Sequence, residues 1–221
     1  MKGDENLNQI EEEENKIVDK IAEILNKDKP WNLRRVRSRV NLFYEGFKND
    51  IEKWYGKDNI QTLEMDLLFG FESLPKHLDP NVIDDTTLVA AEVKFFKELR
   101  KRHFREGIEQ SLAYALFGPD KLCLWHLFSN DIKNERVQEF TSAANELIEG
   151  LKLPIIYIAG KISNEEKMLI KGVYSSVNDY ESELKSFIHP LSEARKRNPL
   201  LANEKVRKRR EILKALLIHS K

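Results

Sequence analysis

Three charged residues in the middle of the chain stand inside otherwise apolar runs, and their types and spacing suit chemistry. Asp66 lies within residues 63–69, and Glu92 and Lys94 lie within residues 88–96. Burying a carboxylate or an ammonium without a partner is costly, so such groups are usually paired, bound to a metal or placed at a strand end. Residues two apart on a strand project to the same face, so Glu92 and Lys94 are expected to point together.

If the strand that carries Asp66 lies beside them, two carboxylates and one ammonium converge. This set suits phosphodiester hydrolysis, because a bound divalent cation neutralises charge at the phosphate and lowers the pKa of a bound water. Mg²⁺ prefers oxygen ligands and keeps several waters, and Mn²⁺ could substitute for it. Lys94 could orient the water or stabilise negative charge at phosphorus. The alternative is a purely structural ion pair at a strand end.

The elements that must position these residues are predicted from the pattern of apolar residues. Both runs are apolar on each face, which is typical of central strands covered on two sides. Further strands are predicted at residues 122–128 and 154–159, and helices at residues 40–54, 102–117 and 137–148. The order predicts an α/β fold with a central mixed four-stranded sheet flanked by helices.

Helical extensions are predicted at both ends of this core. An amphipathic helix is expected at residues 1–30, where apolar residues recur at alternating threes and fours and Glu14 fills the one gap. The apolar positions are Leu7, Ile10, Ile17, Ile21 and Ile24. The core is assigned to residues 31–165, and a basic helical extension to residues 166–221.

Charge is balanced overall, with 37 basic and 37 acidic residues, but it is unevenly distributed. Residues 195–221 hold ten bases against Glu204 and Glu211, and a further cluster lies at residues 34–39. Local basic patches favour contact with a polyanion, although such runs also solvate helix faces. In the C-terminal helix, Val206, Leu213 and Leu217 form a stripe that could dock on the core.

Several classes of protein are disfavoured. No run approaches the ~20 apolar residues of a membrane span. The acidic start of the chain is unlike a signal peptide. The single cysteine, Cys123, excludes an intramolecular disulfide and a cysteine-built metal site. A cytoplasmic protein without a membrane partner is expected. Among the histidines, His126 is expected to be buried and His103 to lie nearest a bound phosphate.

The chain resembles the PD-(D/E)xK nuclease superfamily. The likeness rests on Asp66 in an apolar strand, a connection of about two dozen residues, then Glu92-Val93-Lys94 in the next strand and a helix after it. That helix carries Gln110-Ser111-Leu112-Ala113-Tyr114, which is similar to the Gln-x-x-x-Tyr motif of RecB-like nucleases. Departures are the absence of a proline before Asp66, Leu63 in place of a frequent glycine, and no cysteine ligands.

The resemblance implies a restriction-endonuclease-like core and an Mg²⁺-dependent nuclease acting on nucleic acid, with DNA the expected substrate. It implies that Asp66, Glu92 and the main-chain carbonyl of Val93 bind the metal and that Lys94 is catalytic. Gln110 and Tyr114, one helical turn apart, would reach the same site.

An acidic residue on the helix before the strands often joins such sites, with Glu45 the first candidate and Glu52 the second. Asp84 and Asp85 are an alternative to Asp66, although they read better as part of a hairpin loop. A homodimer through the N-terminal helix is open. The alternative function is a catalytically inactive nucleic-acid-binding module on a nuclease scaffold within a repair or restriction complex.

Overall fold

The fold is α/β, with helices on both faces of one mixed sheet. The structure is a computed structural model that describes residues 2–30, 32–55, 63–72, 86–99, 103–172 and 181–219. Its strands are β1 (Leu33–Asn41), β2 (Glu64–Glu72), β3 (Thr86–Phe96), β4 (Lys121–Ser129), β5 (Ile155–Asn164), β6 (Leu169–Gly172) and β7 (Glu181–Glu183). Within the described residues, these strands form one seven-stranded sheet in sequential order. The pairs β3–β4 and β4–β5 are parallel, and the other neighbours are antiparallel.

The described residues also form six α-helices and several short helical turns. The α-helices are α1 (Lys2–Asp28), α2 (Lys48–Tyr55), α3 (Ile108–Ala113), α4 (Asn134–Gly150), α5 (Leu184–Glu193) and α6 (Glu204–His219). A π-helical turn, Phe43–Phe47, precedes α2. Short 3-10 turns occur at His103–Arg105, Tyr114–Phe117 and Pro199–Ala202.

The two sheet faces carry separate apolar layers. On one face, Ile17 and Ile21 of α1 and Ile188 of α5 pack against residues such as Val93 and Trp125. On the other face, helices α2, α3 and α6 cover a layer that includes Leu68, Ala90 and Leu124. Because β2, β3 and β4 are covered on both sides, they read as continuous apolar runs in the sequence.

The predicted α/β class and the mixed sheet flanked by helices are confirmed, but the predicted strand count of four is wrong. Three strands were missed, β1, β6 and β7. In β1, Leu33, Val36 and Val40 are buried, whereas Arg34 and Arg39 are exposed. This arginine-rich segment lies at the sheet edge, so its sequence resembles a charged surface cluster. The strands β6 and β7 are too short to show a clear alternation of apolar and polar residues in the sequence.

Two predicted helices also differ in their limits. The helix expected from residue 40 begins only after β1 ends at Asn41. The helix expected at residues 102–117 is divided into short turns around Gly107, whose φ of +79° interrupts regular helix.

The terminal helices α1 and α6 both pack on the sheet. Asn26 of α1 bonds both backbone groups of Val36, donating to its carbonyl at 2.7 Å and accepting its N–H at 2.9 Å. The predicted apolar stripe of α6 is confirmed, since Val206, Leu213 and Leu217 are all buried. Among the described residues, no helix is long and apolar enough to cross a bilayer.

Candidate active site

The candidate site lies where β2 and β3 separate. Their pairing extends from Glu72–Thr86 to Leu67–Ala91. Just beyond it, Oδ2 of Asp66 accepts the N–H of Val93 at 2.7 Å. A side-chain carboxylate thus takes the place of the next ladder partner, and the sheet opens at this point. Since N–H and C=O of one strand residue face the same edge, the Val93 carbonyl also faces the opening.

The free edge of β3 is closed one step further along by α1. The N–H of Phe95 donates to Oε2 of Glu14 at 3.0 Å. Alternate residues of a strand turn their amides to the same edge, so Val93 and Phe95 are both bonded by carboxylates from outside the strand. The opening is therefore bordered by Asp66 on one side and by Glu14 on the other.

Asp66, Glu92 and Lys94 lie on adjacent strands and on the same sheet face. Leu68 and Ala90, two residues from Asp66 and Glu92 respectively, pack in the same apolar layer. Nζ of Lys94 lies 2.8 Å from Oε1 of Glu92 and 3.0 Å from Oε1 of Glu14. The side chain of Glu92 is 2% exposed. One ammonium therefore bridges two carboxylates, with a third carboxylate beside them.

Three carboxyl groups and one ammonium lie together in this cluster, and burial and their mutual interactions shift their pKa values. Burial raises the pKa of the Asp66 carboxyl well above its ordinary value, and the neighbouring Glu92 adds to this shift. Burial also raises the pKa of Glu92, although Lys94 and Tyr114 act in the opposite direction. Burial alone would lower the pKa of Lys94, but Glu92, Glu14 and Asp66 together raise it. The ammonium is held charged, whereas the carboxylates compete for too few positive partners.

Tyr114 fixes the carboxylate of Glu92 from the helical side. Its hydroxyl donates to the main-chain carbonyl of Glu64 at 2.8 Å and is in hydrogen-bond contact with Oε2 of Glu92. A phenol carries one proton, so the two contacts share it. The Tyr114 side chain is fully buried, and this burial, with the charges of Glu92 and Asp66, raises the pKa of the phenol well above its ordinary value.

The described contacts of the cluster do not include the other predicted site residues. Gln110 is exposed on α3, and within the described part of the chain the hydrogen bonds of the cluster involve Tyr114 instead. Glu52 forms an ion pair with Lys48 at 3.8 Å on α2. Glu45 lies in the π-helical turn, and its side chain is outside the described residues, as are Asp84 and Asp85.

Glu14 is the site residue that sequence reasoning missed. Its one visible signal is its position, because it occupies an apolar place in the periodic pattern of α1. A charged residue on an otherwise buried helix stripe needs a partner, and here the partners are Lys94 and the amide of Phe95. The sequence could not show which strand the stripe would cover.

A groove of about 520 Å³ lies on the sheet face that α1 covers. Its apolar lining is Ile17, Phe95 and Met168, and its polar lining consists of three lysines and three glutamates, namely Lys16, Lys20, Lys97, Glu13, Glu165 and Glu166. Lys97 is paired with Glu13 at 2.6 Å. The groove has the size of a small-molecule site, and its lysines are balanced by nearby carboxylates.

The cluster has the donor chemistry of a divalent-cation site, but its carboxylates are arranged around Lys94. Among the residues that the structure describes, no group of three or more acidic, histidine or cysteine side chains stands ready to hold a metal ion. The Lys94 ammonium lies between Glu92 and Glu14 instead. However, all donors are oxygens, which Mg²⁺ prefers, and three carboxylates face one ammonium. A cation bound here would compete with Lys94 for the carboxylates.

Comparison with protein-family models, with curated proteins and with solved structures finds no match for this chain.

Proposed function

We propose that this protein is a metal-dependent nuclease of the PD-(D/E)xK type, hydrolysing phosphodiester bonds in DNA. The observation that supports this most strongly is the cluster at the β2–β3 opening, where Asp66, Glu92 and Glu14 surround Lys94. Buried carboxylates with too little compensating charge are costly unless a cation or a proton joins them. A structural ion pair would need one acid for one ammonium.

Within this proposal, Asp66, Glu92, the Val93 carbonyl and Glu14 would hold the cation, with Mg²⁺ expected and Mn²⁺ as a substitute. When bound, such an ion neutralises phosphate charge and lowers the pKa of a coordinated water. Lys94 would stabilise the charge that develops on the phosphate oxygens or orient the attacking water.

The neighbouring residues have supporting roles. Tyr114 holds the Glu92 carboxylate in place. Gln110, exposed one turn earlier on α3, would contact substrate at the edge of the site. The restriction-endonuclease-like core is part of the same proposal, and it is supported by the antiparallel β1–β2–β3 unit followed by α3 and a parallel β4. A cytoplasmic location also belongs to it.

A homodimer would allow two sites to act on two strands. The described stripe of α1 is buried inside the chain, since Ile17, Val18, Ile21 and Leu25 all lie in the core. A dimer would therefore not use this part of α1. The molecular mass of the protein in solution, measured by light scattering, tests whether it is a dimer.

The deciding experiment measures cleavage of single- and double-stranded DNA, and of RNA, with Mg²⁺ and with chelator. Lys94→Ala is expected to lower cleavage by about 10²- to 10³-fold while Mg²⁺ binding, followed by calorimetry, persists. Asp66→Ala and Glu92→Ala are expected to lose both. Lys97→Ala, which removes an exposed lysine of the same segment, is the matched control and should retain both cleavage and Mg²⁺ binding.

A catalytically inactive nucleic-acid-binding module, within a repair or restriction complex, is the second candidate. The bridging of Lys94 by Glu92 and Glu14 favours it, because the ammonium is already satisfied. DNA binding without cleavage under every metal tested would decide for this alternative. Cleavage by the wild type that Lys94→Ala abolishes would exclude it.

A further inference from the structure

A buried histidine lies directly behind the catalytic lysine of the proposed site. His126 on β4 is the register partner of Lys94 on β3, and it is completely buried. Both ring nitrogens are bonded. Nδ1 lies 2.9 Å from the hydroxyl of Tyr157, and Nε2 lies 2.9 Å from the main-chain carbonyl oxygen of Glu106.

These partners determine the tautomer of the ring. A carbonyl oxygen can only accept, so Nε2 must carry the proton that is shared with Glu106. Nδ1 of the neutral ring then accepts the hydroxyl proton of Tyr157. Burial lowers the pKa of His126 to about 4, so the ring is neutral near pH 7. The histidine is thus a fixed donor that points at one main-chain carbonyl.

The residue after Glu106 lies against the proposed site. Gly107 adopts a φ of +79° and its carbonyl accepts the N–H of Ser111 at 2.8 Å, which begins α3. A Cβ at this position would lie 2.5 Å from Cδ1 of Leu124, 3.1 Å from Cγ of Glu92 and 3.3 Å from Cγ of Lys94. The backbone of Gly107 therefore packs on the stems of both charged side chains.

We infer that His126 is a positioning residue, whose Nε2–H bond to Glu106 holds Gly107 against Glu92 and Lys94 and so sets the directions of their charged ends. The geometry of this contact is independent of the proposed nuclease activity, whereas its importance for cleavage rests on that activity. Small displacements matter at such a site, because a reacting group moved by about 1 Å can cost about 10²-fold in rate.

Two substitutions of His126 distinguish the hydrogen bond donated to Glu106 from the mere presence of a polar side chain at this position. In His126→Gln the amide nitrogen can reach the place of Nε2 and donate to Glu106. In His126→Asn the shorter amide can replace only Nδ1. We expect His126→Gln to keep kcat within about threefold, and His126→Asn to lower kcat about tenfold or more with little change in DNA affinity.

Phe140→Leu is the matched control for loss of packing. Phe140 packs against the His126 ring with centroids 5.4 Å apart, and it is buried. Its truncation should lower the melting temperature without releasing Glu106, so kcat should be retained under conditions where the variant is folded. An equal loss of kcat in Phe140→Leu and His126→Asn would overturn the inference, as would equal loss in His126→Gln and His126→Asn.

Nitrogen-15 NMR tests the inference without using cleavage. The ring of His126 should show the neutral Nε2–H pattern, and an Nδ1–H pattern or a charged ring at pH 7 would overturn the assignment. The Nζ resonance of Lys94 should shift in His126→Asn but stay near its wild-type position in His126→Gln and Phe140→Leu. If the wild type cleaves no nucleic acid, the proposed function fails, while the Lys94 resonance still decides whether His126 positions that side chain.

Discussion

The Asp66 carboxylate accepts the main-chain N–H of Val93 at 2.7 Å, across the point where β2 and β3 stop pairing. This contact makes one side chain both an edge cap and a candidate ligand. Glu14 does the same for Phe95 from α1. In both cases a backbone donor that would otherwise be unpaired is bonded by an oxygen that also borders the cluster. The geometry of the opening and the charge of the site are thus linked through the same two carboxylates.

Glu14→Gln tests whether α1 contributes to the proposed metal site. The amide oxygen can still accept the N–H of Phe95, but the negative charge is lost. We expect Mg²⁺ affinity to fall by at least about tenfold, the loss that is typical even of residues that only support metal ligands, with a smaller change in the free energy of unfolding. Calorimetric Mg²⁺ titration is the measurement.

The control for this change is Glu13→Gln, because Glu13 pairs with the exposed Lys97 and should leave Mg²⁺ affinity unaltered. Tighter DNA binding and faster cleavage in Glu14→Gln would instead mean that this glutamate shields Lys94 from substrate.

Gly107→Ala should be strongly destabilising and should also impair the site. The added Cβ meets Leu124 at 2.5 Å, and the φ of +79° disfavours any side chain. Backbone strain and overpacking each cost about 1–3 kcal/mol. Gly150→Ala is the matched control, because a Cβ there meets nothing within 4 Å and should be neutral or stabilise α4 by about 0.5–1 kcal/mol. Urea unfolding measures both, and equal free energies of unfolding for the two variants would contradict the packing around Gly107.

The neutral His126 should make stability depend on pH in the mildly acidic range. Its pKa is lowered by burial to about 4 in the folded chain, whereas an unfolded histidine titrates near about 6.5. Between these two pKa values the histidine is protonated in the unfolded state but neutral in the folded state. The contribution of the neutral His126 to the free energy of unfolding is therefore complete above about pH 6.5 and is lost as the pH falls toward 4. The loss is about 3 kcal/mol, since one pKa unit corresponds to about 1.4 kcal/mol.

Denaturant titrations of wild type and His126→Gln from pH 7 to 4 measure this effect. As the pH falls, the free energy of unfolding of the wild type should decrease more than that of His126→Gln. A constant difference across the range would show that His126 is accessible to protons in the folded state.

The exposed bases of α6 should contribute affinity for DNA rather than stability. Lys205, Arg207 and Lys208 are exposed, whereas Arg209 and Arg210 are taken up by structural ion pairs. Since each phosphate contact changes the slope of log affinity against log salt by about −0.9, changing the three exposed bases to Gln should reduce the slope by up to about 3.

The control removes the same charge from other exposed lysines, with Lys133, Lys152 and Lys167 changed to Gln. If both triple variants have the same slope as wild type, α6 does not contact nucleic acid. Truncation of α6 would be a poor test, because Leu213 and Leu217 are buried in the core.

The two arginines that follow show why a count of charges could not assign this helix. Arg209 donates to both carboxylate oxygens of Asp50 at 2.7 and 2.8 Å and lies over the ring of Trp54. Arg210 donates to both oxygens of Asp120 at 2.9 Å. In the sequence, both belong to one basic run with their exposed neighbours. Their separation into structural and exposed groups depends on which side of α6 meets the core.

The sequence by itself determined the strands that carry Asp66, Glu92 and Lys94, because an apolar run on both strand faces requires cover on both sides. It also determined that Glu92 and Lys94 share a face, since the pleat has a period of two. Both inferences depend only on neighbouring residues within one strand, so the sequence pattern is sufficient for them.

The tertiary structure alone decided that Glu14 joins the cluster, that residues 34–39 belong to the edge strand β1, and that His126 and Gly107 lie behind Lys94. Each of these depends on how elements distant in the chain pack against one another. A helix stripe shows that it will be buried, but the residues that it will meet are chosen by the arrangement of the whole sheet.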